Sequence, residues 1–317
     1  MSLLGHEAAW REWRKAMAGE RMHHAWLLAG RRGVGKASFA QAAARELVGA
    51  APGDNGLHPD IVTLTYGPKD DKEERKRTDG KPFELARSIR IAQIRAMQAR
   101  LGTRPTLGDK RAIIIDPADD LERNAANALL KSLEEPPRGT YFLLVAHSPA
   151  RLLPTIRSRC RVLRFPTVSD GEMDRLLGKM APGADDATRA AAIVAAAGSP
   201  GAALEFVELE LGKVAQAMGL ILDRGDPDFH LRGTLAGLIG ARPDRNRIRA
   251  ILELARSVVA QRLDLVPGDP RPIIDTHSEL VRLTAEQPTY NFDAGLLAME
   301  IGTLLAKAAT ASERADG

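Results

Sequence analysis

His23-His24-Ala25-Trp26-Leu27-Leu28-Ala29-Gly30-Arg31-Arg32-Gly33-Val34-Gly35-Lys36-Ala37 decides the fold of this chain. A short apolar run, read as a buried strand, enters glycines at 30, 33 and 35 and then Lys36, and the alanine-rich stretch Ala37 to Val48 reads as a helix. Strand, glycine loop and helix is the context in which backbone N–H groups wrap a phosphate chain. Those around Gly33 to Lys36 would surround the anion, and the Lys36 ammonium would reach its outer oxygens. One group is missing. Ala37 stands where a Ser or Thr hydroxyl would hold Mg²⁺, and Ser38 points about 100° further round a helix.

Outward from the loop, strands are expected at Asp60 to Leu64, Lys110 to Ile115, Tyr141 to Ala146 and Val162 to Phe165. Between them lie an amphipathic helix over 89–101, carrying Ile91, Ile94, Met97 and Leu101, and a helix over 125–134 stopped by Pro136-Pro137. Alternating strands and helices predict a parallel sheet covered on both faces, an α/β domain. A mixed helix is expected over Leu4 to Gly19, a turn from Gly53 to Pro59, and a solvated loop from Lys69 to Asp79, where basic and acidic side chains interleave.

The α/β domain is expected over residues 1–166. A small helical domain follows over 167–206, punctuated by Gly198-Ser199-Pro200-Gly201. An all-α domain then fills 207–317, with turns near Asp226-Pro227, Pro267-Gly268 and Gln287-Pro288.

Composition narrows the function classes. The 317 residues are 44% hydrophobic and 27% charged, ordinary for globular domains, while 4% aromatic content argues against an aromatic-lined binding surface. A net charge of +4 permits a nucleic-acid surface without demonstrating one. Cys160 is the single cysteine, which excludes an internal disulfide and a multi-thiolate zinc site. No apolar run reaches the roughly 18 residues that a membrane span needs, so a soluble, cytoplasmic chain is expected.

Asp116 closes the strand Ile113-Ile114-Ile115 and stands where a carboxylate would hold Mg²⁺ through water. The next residue is Pro117, which can neither accept a proton nor direct a water, so the hydrolytic base is missing. Asp119 and Asp120 read as helix-capping carboxylates. Arg90, Arg95, Arg100 and Arg104 lie near the amphipathic helix, where they make either a solvated face or sequence-independent contacts to a nucleic-acid backbone.

These residues taken together resemble one family. Asp116-Pro117-Ala118-Asp119-Asp120-Leu121, the run Asn124 to Pro137 containing Ser132-Leu133-Glu134-Glu135-Pro136-Pro137, and Ser158-Arg159-Cys160 look like the motifs of the bacterial clamp-loader ATPase (AAA+) family of DNA polymerase III. The matching motifs span residues 22 to 204. The resemblance implies an AAA+ α/β domain, a helical lid and a helical collar that joins a ring. It further implies gamma/tau motor subunits and a delta subunit as partners, with a sliding clamp and primer-template DNA handled by the assembly, within a DNA-directed DNA polymerase III holoenzyme.

In such rings the arginine of Ser158-Arg159-Cys160 reaches ATP held by a neighbouring subunit, so Arg159 is the expected catalytic group, acting in trans. Gly30, Gly33, Gly35, Lys36 and Asp116 are the expected nucleotide-binding set, possessed in degenerate form. No cofactor is required, and ATP or ADP is left open as an occupant. Active motors of the family carry Gly-Ser-x-Arg where this chain has Gly198-Ser199-Pro200-Gly201, so a cation that senses the γ-phosphate is missing. Many members hold a four-cysteine zinc module after the first helix; 51–59 contains no cysteine, and no zinc is expected. A motor subunit or other DNA-dependent ATPase stands as the alternative, and a free nucleotide-sensing regulator as a third reading.

Overall fold

The computed structural model describes residues 6–51, 58–263, 269–290 and 292–313. Two compact units divide between Thr167 and Val168. The turn signals at 53–57, Pro267-Gly268 and the expected helix start at Leu4 lie outside the described residues.

The first unit runs α1 (Glu7–Met17), β1 (Ala25–Ala29), α2 (Lys36–Val48), β2 (Ile61–Leu64), α3 (Asp71–Thr78), α4 (Ile91–Leu101), β3 (Arg111–Ile115), α5 (Arg123–Glu134), β4 (Thr140–Ala146), α6 (Pro154–Arg157) and β5 (Arg161–Arg164). The strands form one parallel sheet in the order β2-β3-β4-β1-β5. Side chains alternate between its faces. Leu27, Ile113, Ile115, Phe142 and Leu144 pack with Ile94, Met97, Leu129 and Leu133 from α4 and α5. Trp26, Leu28, Ile114, Leu143 and Val145 pack with Trp13, Phe39, Ala43 and Leu47 from α1 and α2. This double burial explains why β1, β3 and β4 read as nearly continuous apolar runs. Because all five strands are parallel, one edge of the sheet gathers every strand's C-terminal end.

The charged segment 69–79 is a helix and not the expected loop. Asp70 caps α3 by accepting from the Glu73 N–H at 2.9 Å, with acidic residues in its first turn and basic ones in its last. Glu73 pairs with Lys76 at 2.7 Å and accepts from the Glu84 N–H at 2.8 Å, which draws the following segment against the helix. Local capping and pairing supply what the absent apolar face does not.

The second unit is helical: α7 (Asp170–Met180), α8 (Asp186–Ala196), α9 (Pro200–Glu208), α10 (Gly212–Arg224), α11 (His230–Ile239), α12 (Arg245–Arg262), α13 (Arg271–Tyr290) and α14 (Ala294–Glu313). Side chains at Ser169, Asp185, Ser199 and Asp244 cap α7, α8, α9 and α12. One apolar cluster runs from Met173 and Leu177 through Phe206, Leu211 and Val214 to Ile251 and Ile301. Packing is therefore continuous across 206/207, where a domain boundary was expected. The expected turn at Gln287-Pro288 is also absent. α13 continues to Tyr290, since a proline in the final turn removes a single backbone hydrogen bond near the helix end.

Among the described residues, no helix is long and apolar enough to cross a membrane.

Candidate functional site

The phosphate loop leaves the C-terminal end of β1. Gly33 and Gly35 have φ of 77° and 101°, the left-handed region that favours glycine. Gly30 is required for a different reason: a Cβ there would lie 2.3 Å from the Phe165 carbonyl oxygen, where the chain leaves β5. Gly35 caps α2 without a side chain, so the first-turn N–H groups have no side-chain oxygen over them. His6, buried and edge-on to the Phe165 ring, bonds through Nε2 to the Val34 carbonyl and ties the loop to the segment before α1.

Lys36 is buried and turned back on the loop. Its Nζ donates to the carbonyls of Gly30 at 2.7 Å and Arg31 at 2.6 Å. Burial pushes its pKa down to about 8, against the opposing pull of the Asp119 and Asp116 carboxylates. Asp116 follows β3 at the same edge, and burial raises its pKa despite Lys36 and Arg32 nearby.

Between β3 and β1 lies β4, and His147 follows its end within electrostatic reach of Lys36 and Asp119. Burial, then the Lys36 charge, hold the imidazole well below its ordinary range, so at neutral pH it is uncharged. Sequence reasoning missed this residue. The available signal was its place directly after a central strand, at the edge where the loop lies.

The two neighbouring acids do not cap α5, contrary to expectation. Asp119 accepts from the N–H groups of His147 at 3.1 Å and Ser148 at 2.7 Å, securing the chain after β4. Asp120 accepts from the Tyr66 hydroxyl and pairs with Arg151 at 3.0 Å. Both carboxylates are thus engaged in holding loops.

The donor set fits a phosphate chain: an open helix start, glycine backbone, the Lys36 ammonium and Arg32 within electrostatic reach. It fits hydrolysis poorly. Ala37 and Pro117 offer neither a metal-binding hydroxyl nor a base. In the second unit, Ser199 Oγ accepts from the Ala202 N–H, and the residue following Pro200 is Gly201, without a cation.

Arg159 lies elsewhere. It precedes β5, whose Arg161 is in register with Trp26 of β1, whereas Lys36 follows β1 beyond Ala29. The two cations therefore occupy opposite edges of the sheet, about 15 Å or more apart for a five-residue strand. The guanidinium Nη1 donates to the Thr155 carbonyl at 2.9 Å, Nη2 lies 2.6 Å from Glu134 Oε1, and the side chain is 36% exposed. Of the arginines near α4, Arg90 donates to the Lys69 carbonyl and Arg100 to that of Pro59 at 3.4 Å, while Arg95 and Arg104 are exposed.

A family model described as "DNA polymerase III, delta subunit" matches residues 5–169. The chain is 35% identical over 167 residues to the DNA polymerase III subunit delta' of Pseudomonas aeruginosa, covering 47% of this chain and 46% of that protein. It is 34% identical over 143 residues to the DNA polymerase III subunit tau of Escherichia coli, covering 44% of this chain and 21% of that protein. The chain thus spans about half the length of the delta' relative it matches. Among solved structures, a DNA polymerase III gamma subunit-related protein from Thermotoga maritima aligns with a TM-score of 0.50 at 16% identity, over 95% of this chain and 99% of that one. The likeness is one of fold: a parallel-sheet α/β domain followed by helices.

Proposed function

The chain belongs to the delta-prime family of DNA polymerase III clamp-loader subunits, and from that premise we propose that it is a fixed ring member that lends an arginine to a neighbour's ATP site. The observation carrying this reading is the separation of Arg159 from Lys36 by the length of the sheet. An arginine at the N-terminal edge has no route to phosphates held by its own loop at the C-terminal edge. It is presented outward, toward a site supplied by another subunit.

A guanidinium directed at a γ-phosphate stabilises charge developed during transfer, worth roughly 10³ to 10⁵ in rate in arginine-finger systems. The chain's own loop retains the groups that cradle phosphate, and ATP or ADP is accommodated there without being turned over, because positions 37, 117 and 201 lack hydroxyl, base and cation. Its partners are gamma/tau-type motor subunits and a delta subunit. Contact with the sliding clamp and primer-template DNA comes through the assembly, with any direct DNA contact made to the backbone.

Reconstitution tests this reading. The purified chain is expected to enter a complex with cognate gamma/tau and delta subunits on size exclusion and to hydrolyse no ATP alone. Turnover by the isolated chain that vanishes in Lys36→Ala would instead identify a motor.

A further inference from the structure

Glu134 is the last residue of α5, and its position is poorly explained by the helix it ends. A carboxylate in a final turn opposes the helix dipole, where a neutral or basic side chain would do better. Its Oε1 lies 2.6 Å from Arg159 Nη2. On the other side of the guanidinium, Nη1 donates to the Thr155 carbonyl at 2.9 Å and lies 3.5 Å from Ser158 Oγ. Two fixed points, one on α5 and one on α6, therefore set the plane of the group.

The end of α5 is itself anchored, because Leu133 is buried and its carbonyl bonds His24 Nε2 at 2.8 Å. Five N–H groups are available on a guanidinium, so the contacts to Thr155, Ser158 and Glu134 leave Nε–H and one Nη2 hydrogen for an incoming acceptor. We propose that Glu134 is a positioning residue: with the Thr155 carbonyl, it holds Arg159 in the orientation offered to the phosphoryl group in the neighbouring subunit. This rests on the reading of Arg159 as an arginine given in trans. An untethered arginine loses rotamer freedom each time it engages the transition state, whereas one already oriented does not.

The test uses the full chain in a ring with cognate gamma/tau and delta subunits, sliding clamp and primed DNA, measuring ATP hydrolysis against ATP concentration. Glu134→Ala is expected to lower kcat by about two- to tenfold with KM little changed, the size set by immobilising one long side chain. Glu134→Gln, which keeps an acceptor oxygen, recovers part of the rate. The double variant Glu134→Ala with Arg159→Ala matches Arg159→Ala alone, and the Tm of Glu134→Ala is not lowered.

An unchanged or raised kcat in Glu134→Ala, with Arg159→Ala still impaired, overturns the positioning role and leaves the arginine reading standing. A loss that persists in full on the Arg159→Ala background also overturns it, since Glu134 would then act through something else. An Arg159→Ala ring at wild-type rate removes both.

Discussion

Lys36 and Gly30 are joined across the mouth of their own loop, Nζ donating to the Gly30 carbonyl at 2.7 Å. The ammonium is thereby kept with the backbone that would receive a phosphate, at the expense of its hydration, and its pKa falls from 10.5 to about 8.

That shift fixes a sign. Between pH 8 and 10.5 the unfolded chain still holds a proton that the folded chain has released, so this group makes stability rise with pH through that window. Below pH 8 both states are protonated and the whole penalty is present. A shift of this size corresponds to about 3 kcal/mol. Urea midpoints of wild type and Lys36→Met between pH 7.5 and 10.5 measure it as a difference, which cancels opposing groups such as Tyr66, whose pKa is raised by burial. The wild type is expected to gain on the variant as pH rises; parallel profiles would show that Lys36 is not destabilised by burial.

In the helical unit Asp226 and Arg232 form a buried ion pair at 2.8 Å, with the guanidinium 3.9 Å from the centre of the Phe229 ring. Asp226 also accepts from the Leu231 and Arg232 N–H groups at 2.9 Å, tying the start of α11. Asp226→Ala leaves a buried cation and free N–H groups, at a cost of about 3–5 kcal/mol. Chemical denaturation followed by circular dichroism should show that loss, and a smaller one for Asp226→Asn, which keeps an acceptor.

Cys160 follows the proposed catalytic arginine in sequence, and burial pushes its thiol up to about 12. Iodoacetamide at pH 8 is expected to label the folded chain at least about 100-fold more slowly than the urea-unfolded chain, as the thiolate is scarce. Equal rates, read by mass spectrometry, would contradict the burial.

The helix α3 starts on the Asp70 cap, beside its own side-chain pairs. Asp70→Ala is expected to speed amide exchange at Glu73 and Glu74, leaving the sheet's amides at wild-type protection. Unchanged exchange in α3 would mean that the Glu73 contacts alone hold it.

Much of this was readable from spacing. The run into Gly30, the Asp116 that follows β3 and the breakpoints at Pro136 and Ser199 all depend on neighbours in sequence, and the structure has them where local chemistry puts them. What was hidden depends on distant partners. Asp119 looks like a cap because the amides it accepts from belong to residues 28 and 29 positions away. His147 is an ordinary residue until strand order brings the end of β4 within reach of the charges of Lys36 and Asp119. Segment 69–79 has no apolar period to announce a helix, and the core shared across residue 206 is set by packing that no periodicity carries.

The central claim is that this chain's catalytic contribution is Arg159, given to another subunit. Its most direct test is steady-state ATP hydrolysis by the ring assembled with gamma/tau, delta, sliding clamp and primed DNA, comparing wild type with Arg159→Ala at equal assembly. A loss of ring turnover, with every subunit still present on gel filtration, is the predicted result; an Arg159→Ala ring that hydrolyses ATP at the wild-type rate would contradict it.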